Sequence, residues 1–277
     1  MKTLLVLTDF SKTAEYAAFY ACILAKHLGS ETIVLYHSQQ LALPVSEAVV
    51  LESDEKETNR AALKSLEDLE AKISGEVPQT VKILRRTDMI PLIDINSVAT
   101  EEKAGLIVMG TANKTKLEEI FLGSNAVTVC KISDHPVVLV PAHLKLQPVK
   151  KIVFACDMKE VNKTIPAAAL KQVLDNFKVP LTVLNVDNED KHFTPETPQE
   201  TMTLHDILKD YTPEYYNIQN ENVVSGIIEF AKENPATLVL LISKSHNFME
   251  GLFYRSLTRR LAYVTPFPLL ILREKEQ

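Results

Sequence analysis

Two stretches of this chain can be written one above the other without a gap: GLIVMGTANKTKLEEIFLGSNAVTVCKISDHPVVLVP and TLVLLISKSHNFMEGLFYRSLTRRLAYVTPFPLLILR. Gly110 then falls on Ile242, Asn113 on Ser245, Gly123 on Arg255, Ser124 on Ser256 and Pro136 on Pro268. Upstream, KIVFACD repeats TLLVLTD with Asp157 in the place of Asp9, and LTVLNVD repeats TIVLYHS. A repeat of this period is a domain rather than a solenoid unit, so whatever one copy folds into, the chain must fold into twice. The boundaries read as residues 1–143 and 150–274, with AHLKLQPVK as the connection.

Within each copy, strand-like runs alternate with helical patterns. In the segment SKTAEYAAFYACILAKHLG, Ala17, Ala21, Leu24 and Leu28 recur at helical spacing, Ser11 is placed to cap the start and Gly29 to end it. Further helices are expected around Ser53 to Ile73, from about Pro91 to Lys103 and from Gly123. The strands are continuous runs of Val, Ile and Leu without polar alternation. Such runs are buried on both faces, which means a parallel sheet covered by helices. The expected class is α/β: two tandem five-stranded parallel-sheet sandwiches of Rossmann-like type. The second copy is shorter between its second and third strands, where KHFTPETPQETMTLHDILKDYTPE has room for one short helix.

The stretch VMGTANKTKLEEIFLGSNAV carries the chemistry. In an open parallel sheet, ligands settle outside the carboxyl ends of the strands, where the strand order reverses. Asp9 and Gly110 both stand at such ends. A glycine there lets the backbone approach a ligand, and Gly123-Ser124 at a helix start supplies free N–H groups and a hydroxyl for phosphate. Lys114 and Lys116 add local positive charge, and the Asp9 carboxylate can accept from ribose hydroxyls or a base amino group. The plain structural readings stand beside these: a strand-end glycine, a solvated basic loop, and an Asp9 that simply meets the helix after it.

Bulk properties narrow the classes. A formal charge of −6 argues against non-specific nucleic-acid binding, and no apolar run approaches the length of a membrane span. The chain is expected in the cytoplasm. Cys22, Cys130 and Cys156 lack CxxC spacing and read as small buried residues. His27, His37 and His135 read as structural; no catalytic or metal-ligating set can be argued from spacing, and there is no Walker A motif.

On these residues the chain resembles the universal stress protein family, in a tandem two-domain form. Nucleotide-binding members of that family carry G-x2-G-x9-G-S/T after the fourth strand and an Asp at the end of the first. Here the match is Gly110, Asn113 in place of the second glycine, Gly123 and Ser124, with Asp9 present. Asn is the least disruptive substitute where positive φ is required. The resemblance implies adenine near Thr8, Asp9, Ser38 and Met109, and phosphates near Gly110, Asn113, Gly123 and Ser124. The ligand would be ATP or another adenine nucleotide, with or without Mg2+, in a stress-response protein that binds and signals rather than catalyses; slow ATP hydrolysis would be incidental. In the second copy Ile242, Ser245 and Arg255 replace the glycines, which reads as a scaffold that has lost the site ahead of a different ligand held by Arg255, Arg259 or Arg260. The resemblance also implies pairing of the last strands, Val137 to Val140 against Leu269 to Leu272, as an intramolecular pseudo-dimer open to further homodimerisation. The alternative function is a non-nucleotide protein–protein interaction scaffold of the same fold, with an unidentified partner. A small-molecule transferase of the wider group would need an acid, base or nucleophile that the cleft sequence does not supply.

Overall fold

The computed structural model describes residues 1–39, 52–111, 124–142, 144–187, 197–243 and 251–274. The first half runs β1 (Thr3–Leu7), α1 (Lys12–Leu28), β2 (Thr32–Ser38), α2 (Glu52–Ile73), β3 (Lys82–Asp88), α3 (Ile95–Glu101), β4 (Ala104–Thr111), α4 (Ser124–Ile132) and β5 (Val137–Pro141). The second half runs β6 (Ile152–Ala155), α5 (Val161–Thr164), α6 (Ala167–Phe177), β7 (Leu181–Asp187), α7 (Thr197–Leu208), β8 (Glu214–Gln219), α8 (Val223–Glu233), β9 (Leu238–Ser243), α9 (Gly251–Val264) and β10 (Leu269–Arg273). A 3-10 turn, Leu92–Asp94, leads into α3, so the helix expected from Pro91 is divided there.

The strands lie in the order β3-β2-β1-β4-β5-β10-β9-β6-β7-β8, a 10-stranded sheet built from two parallel five-stranded halves. They meet where β5 runs antiparallel to β10, with Leu139 opposite Leu269, Val138 opposite Leu270 and Val137 opposite Ile271. Each half thereby covers the strand edge that the other would leave open. The alternation of side chains across the pleat sorts the core into two layers. Leu4, Val6, Ile33, Leu35, Leu106 and Val108 face α1 and α2, in one cluster with Phe154, Leu170, Val173 and Leu204 of the second half. Leu5, Leu7, Val34, Ile107 and Met109 face α3 and α4, in one cluster with Ile227, Phe230 and Leu261. Both layers are continuous across the seam.

The local rules hold where they matter for the site. Ser11 Oγ accepts from the Ala14 N–H at 3.2 Å, and Gly29, at φ 62°, turns the chain out of α1. The connection between the halves is packed: Leu144 and Val149 are buried, and Tyr16 of α1 donates its hydroxyl to the Leu144 carbonyl at 2.8 Å. Further ties cross between the halves from His27 Nε2 to the Phe177 carbonyl at 2.9 Å and from Arg273 to Asp134 at 2.8 Å. β8, the third strand expected in the second copy, follows directly on the shorter segment there; it is an outer strand whose EYYNIQ pattern is largely exposed.

Candidate functional site

The strand order reverses between β1 and β4, since β2 and β3 lie on one side of β1 and β5 lies beyond β4. Leu7 is in register with Tyr36 on one side and with Met109 on the other. One residue further on, Thr8, His37 and Gly110 therefore stand abreast at the carboxyl ends of β1, β2 and β4. This is the position at which open parallel sheets bind ligands.

The chain leaves β1 through a tight polar turn. The buried Thr8 accepts the Phe10 N–H on its Oγ1 at 3.0 Å, and Asp9 Oδ1 accepts the Ser11 N–H at 3.0 Å. Phe10 itself is left-handed, at φ 61°, which a bulky residue adopts only under constraint. The residue is 37% exposed, and its ring lies tilted by 38° against His37 with centroids 4.4 Å apart. His37 Nδ1 meets the Thr8 carbonyl at 2.8 Å; a carbonyl only accepts, so the ring carries its proton on Nδ1. Sequence reasoning passed over Phe10, because left-handed backbone is normally signalled by Gly, Asn or Asp.

The same turn recurs in the second half. Met158 is left-handed at φ 53°, its N–H points to Cys156 Sγ at 3.4 Å, and Asp157 Oδ1 accepts the Lys159 N–H at 3.3 Å. The aspartate turn is thus a property of the repeated fold.

Gly110 has an explanation within the fold. A Cβ built on it would lie 2.5 Å from the Thr13 carbonyl oxygen and 2.6 Å from the Thr13 carbonyl carbon. The missing side chain admits the first turn of α1, so a ligand is not required to account for the glycine. Met109 is likewise a core residue, 6% exposed and packed with Leu7 and Leu139. Ser38 donates its hydroxyl to the Ile90 carbonyl at 2.6 Å. Asn113, Gly123, Lys114 and Lys116 lie outside the described residues, as does Ser245. Ser124 is the first residue of α4 and Ser256 lies within α9. Thr8, Asp9 and Gly110 are brought together; Ser38 and Met109 are adjacent but turned to other partners.

Beside the site, Tyr36 donates to Asp88 Oδ1 at 2.6 Å, and Arg86 reaches Asp88 at 3.0 Å and Glu101 and Glu102 at 2.8 Å each. Burial raises the Tyr36 hydroxyl above its ordinary pKa, and the bond to Asp88 raises it further. Burial alone works against the Arg86 charge, but Glu102, Glu101 and Asp88 outweigh it and keep the guanidinium protonated. This network ties the end of β3 to α3 and forms a fixed wall. Among the described residues no group of three His, Cys, Asp or Glu is placed to hold a metal ion, and no helix is long and apolar enough to cross a membrane. Cys22, Cys130 and Cys156 are buried, as expected.

A family model described as the Universal stress protein family matches residues 1–141. Over its full length the chain is similar to a universal stress protein of Synechocystis sp., 25% identical over 296 aligned residues that cover 99% of this chain and 100% of that one. A universal stress protein of Methanocaldococcus jannaschii is 35% identical over 147 residues, covering 50% of this chain and 81% of the relative. The crystal structure of a universal stress protein from Archaeoglobus fulgidus matches with a TM-score of 0.70 at 18% identity, covering 98% of each chain, a likeness of fold.

Proposed function

The chain belongs to the universal stress protein family, and on that premise we propose that its first half binds an adenine nucleotide and acts as a stress-response binding protein rather than a catalyst. The observation that carries this reading is the strand-order reversal between β1 and β4, with Thr8, Asp9 and Gly110 grouped at its carboxyl end. The nucleotide base would lie along Thr8, Asp9, Ser38 and Met109. Its phosphates would lie toward Gly110, Asn113, Gly123 and Ser124, where α4 begins and its first N–H groups lack helical partners. Mg2+ would come with the triphosphate. The chain would work in the cytoplasm as two domains, residues 1–143 carrying the site and 150–274 serving as its scaffold.

Calorimetric titration of the full chain with ATP, ADP and AMP tests the reading. Saturable heat with at least one nucleotide, lost in Asp9→Ala and kept in Asp157→Ala, is the expected result. No heat from any of them, at protein concentrations that would register weak binding, overturns it. A second reading, a protein-docking scaffold without nucleotide, is favoured by the internal roles that Asp9 and Gly110 already fill. It predicts that silent titration.

A further inference from the structure

The two halves differ in how they close the groove between their last two helices. Continuing the gapless overlay, Asn96 falls on Ile228, Ile132 on Val264, Asp134 on Pro266 and Pro141 on Arg273. In the first half, Asn96 Nδ2 donates to the Ile132 carbonyl at 2.8 Å and to Asp134 Oδ2 at 3.0 Å, and the Asp134 N–H returns to Asn96 Oδ1 at 3.0 Å. Arg273 reinforces this clasp, reaching the Ile132 carbonyl at 3.1 Å and Asp134 Oδ1 at 2.8 Å. The end of α4 is therefore stitched to α3.

No equivalent clasp can form in the second half. Ile228 has no hydrogen-bonding group in its side chain, Pro266 has no N–H, and Pro141 cannot do what Arg273 does. Between α8 and α9 lies an open groove of about 500 Å³ lined by Val224, Ile228, Lys232, Arg260, Tyr263 and Val264, among others. Val264, at the end of α9, is 60% exposed, whereas its counterpart Ile132 is half-buried and packed against the core. The walls carry cations from both helices. Lys232 has no ion pair among the described residues, and Arg260 reaches Asn222 Oδ1 only at 3.4 Å. The one acid in the lining, Glu229, already accepts from Asn220 at 3.3 Å. An apolar floor beside two cations and one carboxylate, a local excess of one positive charge, complements an apolar side chain beside a carboxylate.

We propose that the α8–α9 groove docks a short acidic peptide segment of a partner protein, seated by a bulky apolar side chain over Ile228 and Val264 and by a carboxylate paired with Lys232 and Arg260. The proposal does not depend on nucleotide binding in the first half.

A random peptide library panned on the full chain tests it, followed by fluorescence anisotropy with labelled synthetic copies of the enriched sequences. Enriched peptides are expected to place Leu, Ile, Met or Phe close to Asp or Glu. Val264→Asp and Arg260→Glu should each weaken them about tenfold or more. Ile228→Asn, which offers the Val264 carbonyl the bond that Asn96 gives Ile132, should weaken them as well. Val264 is exposed, so Val264→Asp should melt at the wild-type temperature, which separates lost docking from lost folding. The proposal is overturned by a library without enrichment, by peptides lacking acidic residues, or by affinities that Val264→Asp leaves unchanged. Concentration-dependent self-association abolished by Val264→Asp would overturn it in favour of a second copy of this chain as the occupant.

Discussion

Gly110→Ala separates two reasons for a glycine at the end of β4. The added Cβ would sit 2.5 Å from the Thr13 carbonyl oxygen and 3.0 Å from the Ala14 nitrogen, all main-chain atoms of the first turn of α1. Relief requires a retreat of about 1 Å to reach ordinary contact. Neither partner yields easily. β4 is held between β1 and β5, and α1 buries eight residues from Ala14 to Ala25. Overpacking of this kind costs about 1–3 kcal/mol, and a main-chain obstacle argues for the upper part of that range. With a urea slope of about 3 kcal/mol/M, the unfolding midpoint should fall by about 0.3–1 M. Gly75→Ala is the control, since nothing lies within 4 Å of its Cβ, and it should stay within about 0.5 kcal/mol of wild type. Adding Thr13→Ala to Gly110→Ala should not rescue stability, because the clash is with backbone. Wild-type unfolding of Gly110→Ala would refute the argument, and loss of nucleotide binding with stability intact would return the glycine to the ligand.

Three further outcomes follow from the same contacts. Ser11→Ala removes the cap of α1 and should cost about 1 kcal/mol, read as a lower melting temperature; an unchanged melt would mean that Ser11 Oγ holds nothing. Burial pushes the Cys22 and Cys130 thiols up from about 9 to about 12, with the Glu76 charge adding to the effect at Cys22. Between those values unfolded thiols ionise while folded ones stay protonated, so the unfolded state binds fewer protons and stability falls as pH rises. The Cys22→Ala/Cys130→Ala double variant should show a shallower alkaline decline in chemical denaturation, and equal slopes would count against the burial argument. Finally, residues 1–146 and 147–277 expressed as separate chains should co-purify as a one-to-one complex through the β5–β10 seam and the His27–Phe177 contact. Halves that elute apart on gel filtration would show that the covalent connection alone holds them together.

The elements legible in the sequence are those whose burial is uniform. β1, β2, β4, β5, β9 and β10 read as strands because their centres are continuous apolar runs covered on both faces. α1 was readable from Ser11 to Gly29 because both caps carry their usual residue types. β8 is expected only from its place as the third strand of the repeat, because an outer strand with Glu214, Asn217 and Gln219 toward solvent has no such run. The strand ends at which Thr8, Asp9 and Gly110 meet are also legible, since their meeting depends only on topology. The purpose of Gly110 was not. Close approach by a helix and close approach by a ligand select the same residue, and only the position of Thr13 tells them apart. Met109 is ambiguous for a related reason: in a strand with an apolar centre, the sequence does not say which residue is free of the core.

The second half acts as an internal control on the first. Asp157 and Met158 keep the turn of Asp9 and Phe10, so that turn cannot distinguish a ligand-binding half from one that has lost its ligand. The change of Gly110 to Ile242 has a mechanical cause as well. Where the first half has one continuous α1, the second has a single turn, α5, then Ile165 and Pro166, and only afterwards α6. Proline lacks the N–H that a continuous helix would need there, so the helix restarts. Ile242 joins the buried cluster that holds Val161 and Ile165 of that interrupted segment. The side chain at the end of β9 and the broken helix go together, as the bare glycine and the unbroken helix do. Ile242 is therefore explained by packing, and its presence is not by itself a record of lost nucleotide binding. What sets the first half apart on chemical grounds is narrower: the exposed Phe10 ring on His37, and Thr8 in place of Cys156 beneath it.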